Sequence, residues 1–151
     1  MPLARVVQNA GYLCPLLRDF PDARFILMHI GYPCQDAFIA LAKHYLNVTI
    51  DMCWAWIINS AACVRFVKEF LMAAPANKLL TFGGDYVPVE PIVGHSHLAR
   101  LGLTRAITEL VEDDWISLEE SSSLIERLMH GNARELFSGP VMSANSGECN
   151  G

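Results

Sequence analysis

Three ionisable residues each close a short apolar run. His29 follows Phe25-Ile26-Leu27-Met28, Asp51 follows Val48-Thr49-Ile50, and Asp85 follows Leu79-Leu80-Thr81-Phe82-Gly83-Gly84. An imidazole and two carboxylates suit divalent-metal binding or general acid/base work. That chemistry requires residues far apart in the chain to meet in one place. Each also has a plainer reading. A histidine at a strand end is commonly a hydrogen-bonded structural group. An Asp after Gly-Gly is often a turn former or helix cap. Asp51 could bond a neighbouring Arg or backbone group, and Trp54 and Trp56 could only fill space between sheet and helix.

The elements that must position these residues read as a βα alternation. Arg24–Ile30, Val48–Cys53 and Lys78–Gly83 read as buried strands. The first two are almost continuously apolar, which suits strands of a parallel sheet covered on both faces. Phe20-Pro21-Asp22 and Pro75-Ala76-Asn77 are turn signals before the first and third. Between them, Cys34–Tyr45 and Ser60–Met72 carry helical patterns, the latter with Val64, Val67 and Leu71 on one face and Arg65, Lys68 and Glu69 on another. Strand–helix–strand–helix–strand is the βαβ order. Parallel strands end on one rim, where ligands bind, so the order alone delivers His29, Asp51 and Asp85 to a common edge.

After the third strand an irregular loop is expected over Asp85–Gly94, then a helix over His97–Glu112. Ser117-x-x-Glu120 resembles a capping box for a further helix with Leu118, Leu124, Ile125, Leu128 and Met129 inward, ended by Gly131 as its C′ residue. Asn132-x-x-Glu135 opens a last helix. The N-terminal stretch Leu3–Leu17 reads as a helix broken near Gly11 and Pro15. Residues 138–151, rich in Gly, Ser and Asn, read as a disordered tail, leaving 1–137 as the folded portion. His95-x-His97 could chelate from a strand, but at a helix start positions i and i+2 do not face each other.

The chain has 151 residues, 52% hydrophobic and 18% charged, with a formal net charge of −5. That length suits one domain with a real core. The apolar content excludes a disordered chain. The mild acidity argues against nucleic acid as a partner. No run is long enough to span a membrane, and Met1–Arg18 lacks the plan of a signal peptide. Five cysteines without a CxxC pair suit a reducing, cytoplasmic setting. There is no Walker-A loop, GxGxxG or GxSxG elbow, which leaves a nucleotide site without its phosphate loop.

The segments Phe20-Pro21-x-x-Arg24-Phe25-Ile26-Leu27-Met28-His29-Ile30-Gly31, Phe82-Gly83-Gly84-Asp85-Tyr86 and Gly131-Asn132-Ala133-Arg134-Glu135-Leu136-Phe137, in this order and spacing, resemble the amidohydrolase superfamily. The likeness is greatest to its amidohydrolase-related, metal-dependent hydrolase branch. Val48–Trp54 fits the intervening strand. The resemblance covers roughly residues 14–137 and implies a partial (β/α)8 TIM-type barrel. It would hold three parallel βα units, strands six to eight, with C-terminal helices.

It further implies that Asp85 binds a divalent metal, zinc first, and shuttles the proton of the attacking water. His29 would be a metal ligand or orient that water. Around this centre Asp51, Trp54 and Tyr86 are expected to contact a small-molecule substrate. Members mostly hydrolyse C–N or C–O bonds, and some decarboxylate or isomerise sugar acids.

The chain departs from the pattern in lacking the family's first-strand His pair and fifth-strand His. His95-x-His97 cannot replace the former, because it follows the last strand. A full barrel takes about 250 residues, so the chain reads as the C-terminal portion of one, with open sheet edges that invite self-association. The competing reading is a catalytically inactive α/β remnant or interaction module.

Overall fold

The computed structural model describes residues 9–138; of the tail expected over 138–151, Ser138 ends a helix and the rest, with Cys149, lies outside them. Helix α1 (Asn9–Asp19) leads into strand β1 (Phe25–Met28), a 3-10 turn (His29–Gly31) and helix α2 (Gln35–His44). Strand β2 (Val48–Asp51) follows, then α3 (Ala55–Ile58), α4 (Ser60–Ala73) and strand β3 (Leu79–Leu80). The chain closes with α5 (Glu90–Glu112), α6 (Leu118–Glu126), a π turn (Arg127–Gly131) and α7 (Asn132–Ser138).

The strands form one open parallel sheet in the order β1-β2-β3. Met28 lies opposite Asp51, and Asp51 opposite Leu80. This is the α/β architecture expected of part of a TIM-type barrel. The β-branched Val48 and Ile50 suit a pleated strand. Both are fully buried, whereas Thr49 and Asp51 alternate with them and are half-buried. Residues aligned across strands share a face, so Met28, 45% exposed, lies on the same side as Asp51. The continuous apolar runs had suggested cover on both faces. The Val48/Ile50 face is sealed at β2 and β3, while on the other face cover is partial: Leu80 is 4% exposed, Asp51 half-buried and Met28 exposed.

The sealed side is the core. Phe66, Val67 and Phe70 of α4 and Leu103, Ile107 and Leu110 of α5 are buried there with Trp56. Gly102 lets α5 close on the Trp56 ring, since a Cβ at that position would overlap it. The Trp56 indole donates to the Thr81 carbonyl at 2.8 Å. Burying a side chain of this size contributes about 1.5–3 kcal/mol, more than any one surface ion pair here can supply.

Some boundaries differ from the sequence reading. Helix α5 starts at Glu90 rather than His97, because Pro91 suits a first helical turn. The expected break in the N-terminal helix is absent; α1 runs through Pro15. Gly11 and Pro15 are both exposed, so the carbonyl that Pro15 leaves unbonded is open to water. The Ser117–Glu120 capping box forms with both reciprocal bonds, but Leu118 is 75% exposed rather than inward. Gly131 does not end its helix. The chain passes through the π turn into α7, and the widened turn brings Asn132 inside, where its amide donates to the Ala76 and Leu79 carbonyls at 2.7 and 2.9 Å. No helix among the described residues is long and apolar enough to cross a membrane.

Candidate active site

Because the strands are parallel, His29, Asp51 and Asp85 all fall at the C-terminal edge of the sheet. His29 is the first residue past β1, and Asp51 is the last of β2, on the rung of Leu80. Asp85 follows β3 after the Gly83-Gly84 turn. All three strand ends break sharply. His29, Ile30, Cys53 and Asp85 take left-handed φ angles of 62°, 51°, 37° and 47°, each an uncommon choice for a residue other than glycine. Such strain persists only where surrounding contacts hold it, and it concentrates at functional sites.

Asp51 is the centre of the rim. One carboxylate oxygen accepts from the Cys53 backbone N–H at 2.8 Å, which bends the chain out of the strand. Gly83 lies directly over it; a Cβ there would stand 3.3 Å from the Asp51 carboxylate and 3.4 Å from the Cys53 sulfur. The Asp51 proton affinity is raised, first by burial, while the Cys53 N–H and the charge of His29 lower it and the charge of Asp85 raises it. Asp51 therefore lies between His29 and Asp85, which follow the two strands on either side of its own. The Cys53 thiol is pushed up to about 11, by burial first and then by Asp51, and is not a nucleophile near neutrality.

The aromatic residues lie beside these charges. Trp54 donates its indole N–H to the Asp85 carbonyl at 2.8 Å, holding the strained turn by its backbone. The rings of Trp54 and Tyr86 tilt together at 5.1 Å. Asp85 is exposed as a residue, and its carboxylate lies beside the Cys53 thiol. Trp56, by contrast, belongs to the core.

His95 and His97 separate as their helical spacing requires. His97 is exposed, while His95 is 2% exposed, edge-on to Phe82 at 5.0 Å and Tyr86 at 5.8 Å. Reading the two as a pair hid His95. Its own signal was the inward stripe of α5, for it stands in step with Ala99, Leu103 and Ala106. Burial lowers its proton affinity, partly offset by the nearby carbonyls of Cys53 and Gly84. Cys53, only counted among the five cysteines in the sequence, is the other rim residue that its spacing did not single out.

A catalytic zinc takes three protein ligands and an open position. Among the described residues no group of three His, Cys, Asp or Glu side chains is arranged to hold a metal ion. His29 does leave Nδ1 buried without a partner, a free donor atom, but one imidazole with the two rim carboxylates does not make such a centre. What the rim can do unaided is hold and move protons, with a shielded carboxylate and an exposed one beside an imidazole.

An amidohydrolase family model matches residues 8–139. The protein fluG of Emericella nidulans is 23% identical over 131 residues, which cover 85% of this chain and 15% of that protein. The chain thus spans a small part of the length of this curated relative. No solved structure matches it.

Proposed function

The chain belongs to the amidohydrolase family, and we propose that its sheet rim serves hydrolysis of a C–N or C–O bond in a small-molecule substrate. One observation carries the reading: His29, Asp51 and Asp85 stand at or just past the ends of three neighbouring parallel strands, at one edge of the sheet. In this reading Asp85, exposed and next to the tilted Trp54–Tyr86 pair, accepts the proton of the attacking water and returns it to the leaving group. His29 orients that water. Asp51, half-buried, contacts a polar group of the substrate, and Trp54 and Tyr86 offer an apolar face to the rest of it. The family is generally metal-dependent. The described residues do not compose a metal centre, so a divalent ion such as zinc would need ligands beyond them.

The test is turnover of a panel of ester, amide and lactone substrates by purified protein, with metal content measured on the same sample. Asp85→Asn is expected to lower turnover about 10²–10⁴-fold. Equal turnover by the variant and the unchanged chain would remove Asp85 from the mechanism.

A second reading is favoured by the same lack of a metal-holding group together with the open edges of β1 and β3. In it the chain is an inactive α/β module that associates through those edges. It expects no bound metal, no turnover, and a mass in sedimentation that grows with concentration.

A further inference from the structure

Gly83, in the turn after β3, lies against the turn after β2. A Cβ on it would stand 3.3 and 3.4 Å from the two carboxylate oxygens of Asp51 and 3.4 Å from the Cys53 sulfur. In a close-packed interior, an added methyl group at such distances displaces a neighbour. The backbone does not ask for glycine here, because among the described glycines Gly31 is the one with a left-handed φ. The requirement is one of space. The Asp51 carboxylate does not yield freely, since one of its oxygens accepts from the Cys53 N–H at 2.8 Å and Cys53 is itself buried.

A second contact joins the same two turns. The Trp54 indole N–H, beyond β2, donates to the Asp85 carbonyl, beyond β3, at 2.8 Å. Both turns are strained, with φ of 37° at Cys53 and 47° at Asp85, and such backbone persists only where its surroundings hold it.

We propose that Gly83 is a positioning residue: without a side chain, it lets the turn after β3 seat on the Asp51 carboxylate, which brings the Asp85 carbonyl within reach of the Trp54 indole. The seat and the hydrogen bond together fix the carboxyl groups of Asp51 and Asp85 relative to each other. This deepens the proposed hydrolytic site and rests on that reading only for the use made of the spacing.

The experiment is NMR on the full chain, following hydrogen exchange of the Trp54 indole N–H through a double-mutant cycle of Gly83→Ala and Asp51→Ala. The new methyl group meets the Asp51 carboxylate, lifts the turn and weakens the indole bond, so exchange in Gly83→Ala is expected to speed up about threefold or more. In the Asp51→Ala background the methyl group has room, and the same substitution is expected to speed exchange by a smaller factor. The Asn132 side-chain amide signals report that the fold is intact. Unchanged exchange in a folded Gly83→Ala chain overturns the proposal. So does an equal acceleration in both backgrounds, which is what a glycine needed only for its own turn would give. Should Gly83→Ala not fold, the double variant decides: a folded chain with its indole as protected as in Asp51→Ala supports the seat, and an unfolded or less protected one overturns it. Turnover is scored separately, so a coupled seat in a chain without hydrolytic activity would sink the hydrolase reading and leave the positioning role standing.

Discussion

The two ends of the sheet are built in opposite ways. At the end where the strands begin, long-range side-chain bonds stitch backbone to backbone. Asn47 donates to the Leu17 and Phe20 carbonyls, Lys78 to those of Ala42 and Tyr45, Asn132 to those of Ala76 and Leu79, and Arg24 to that of Leu136. At the end where the strands stop, four residues other than glycine are left-handed and three imidazole nitrogens are buried without partners. Ionisable groups share that edge, where the Trp54 indole holds the Asp85 carbonyl. The first end supplies stability, and the second spends some of it on holding charges together. That division matches the general behaviour of barrels built from parallel strands, in which chemistry sits at the C-terminal face.

The contrast is sharpest at Asn132. Asn132→Ala leaves the Ala76 and Leu79 carbonyls without their donor and is expected to cost about 1–3 kcal/mol in urea unfolding. The titration of Asp51 should stay as it was. Asp85→Asn should do the reverse, moving the rim's titration and changing stability by no more than about 0.5 kcal/mol, because the residue is exposed and Asn tolerates a left-handed backbone. A large stability loss in the Asp85 variant, or none in the Asn132 variant, would erase the distinction between the ends.

A smaller effect is expected in the pH dependence of stability. Burial lowers the proton affinity of His95, so below the unfolded histidine value of about 6.5 the unfolded chain binds a proton that the folded chain resists. Stability is therefore full above that pH and falls as the pH drops below it. Asp51 works in the opposite sense. Its affinity is raised, so the folded chain takes up its proton first as acid is added, and stability recovers in part as the pH falls towards the ordinary carboxylate range. His95→Phe should flatten the decline between about pH 6.5 and 5, measured as denaturation midpoints across that range. An undiminished decline would place the responsible group elsewhere.

Much of this was legible from residue types alone. Val48-Thr49-Ile50 and the runs before His29 and Asp85 are apolar and β-prone, and their alternation with helical patterns fixes a parallel sheet and a common rim. Ser117 and Glu120 announce their own cap. Other features were not legible for physical reasons. Left-handed backbone at Cys53, His29 and Asp85 is imposed by tertiary contacts against local preference. The role of Asn132 depends on a π turn that no local pattern demands, and its Asn-x-x-Glu setting reads more naturally as a helix start. His95 was masked by its neighbour two residues on, although the apolar stripe of α5 extends back to it.

The central claim is that His29, Asp51 and Asp85 act on one another across three strand ends. It is tested most directly by following the Asp51 side-chain carboxyl carbon by NMR through an acid titration of the unchanged chain, Asp85→Asn and His29→Asn. With the charge of Asp85 gone, the Asp51 titration should move to lower pH; with that of His29 gone, it should move to higher pH. An Asp51 titration that neither substitution moves, or that both move the same way, contradicts the account.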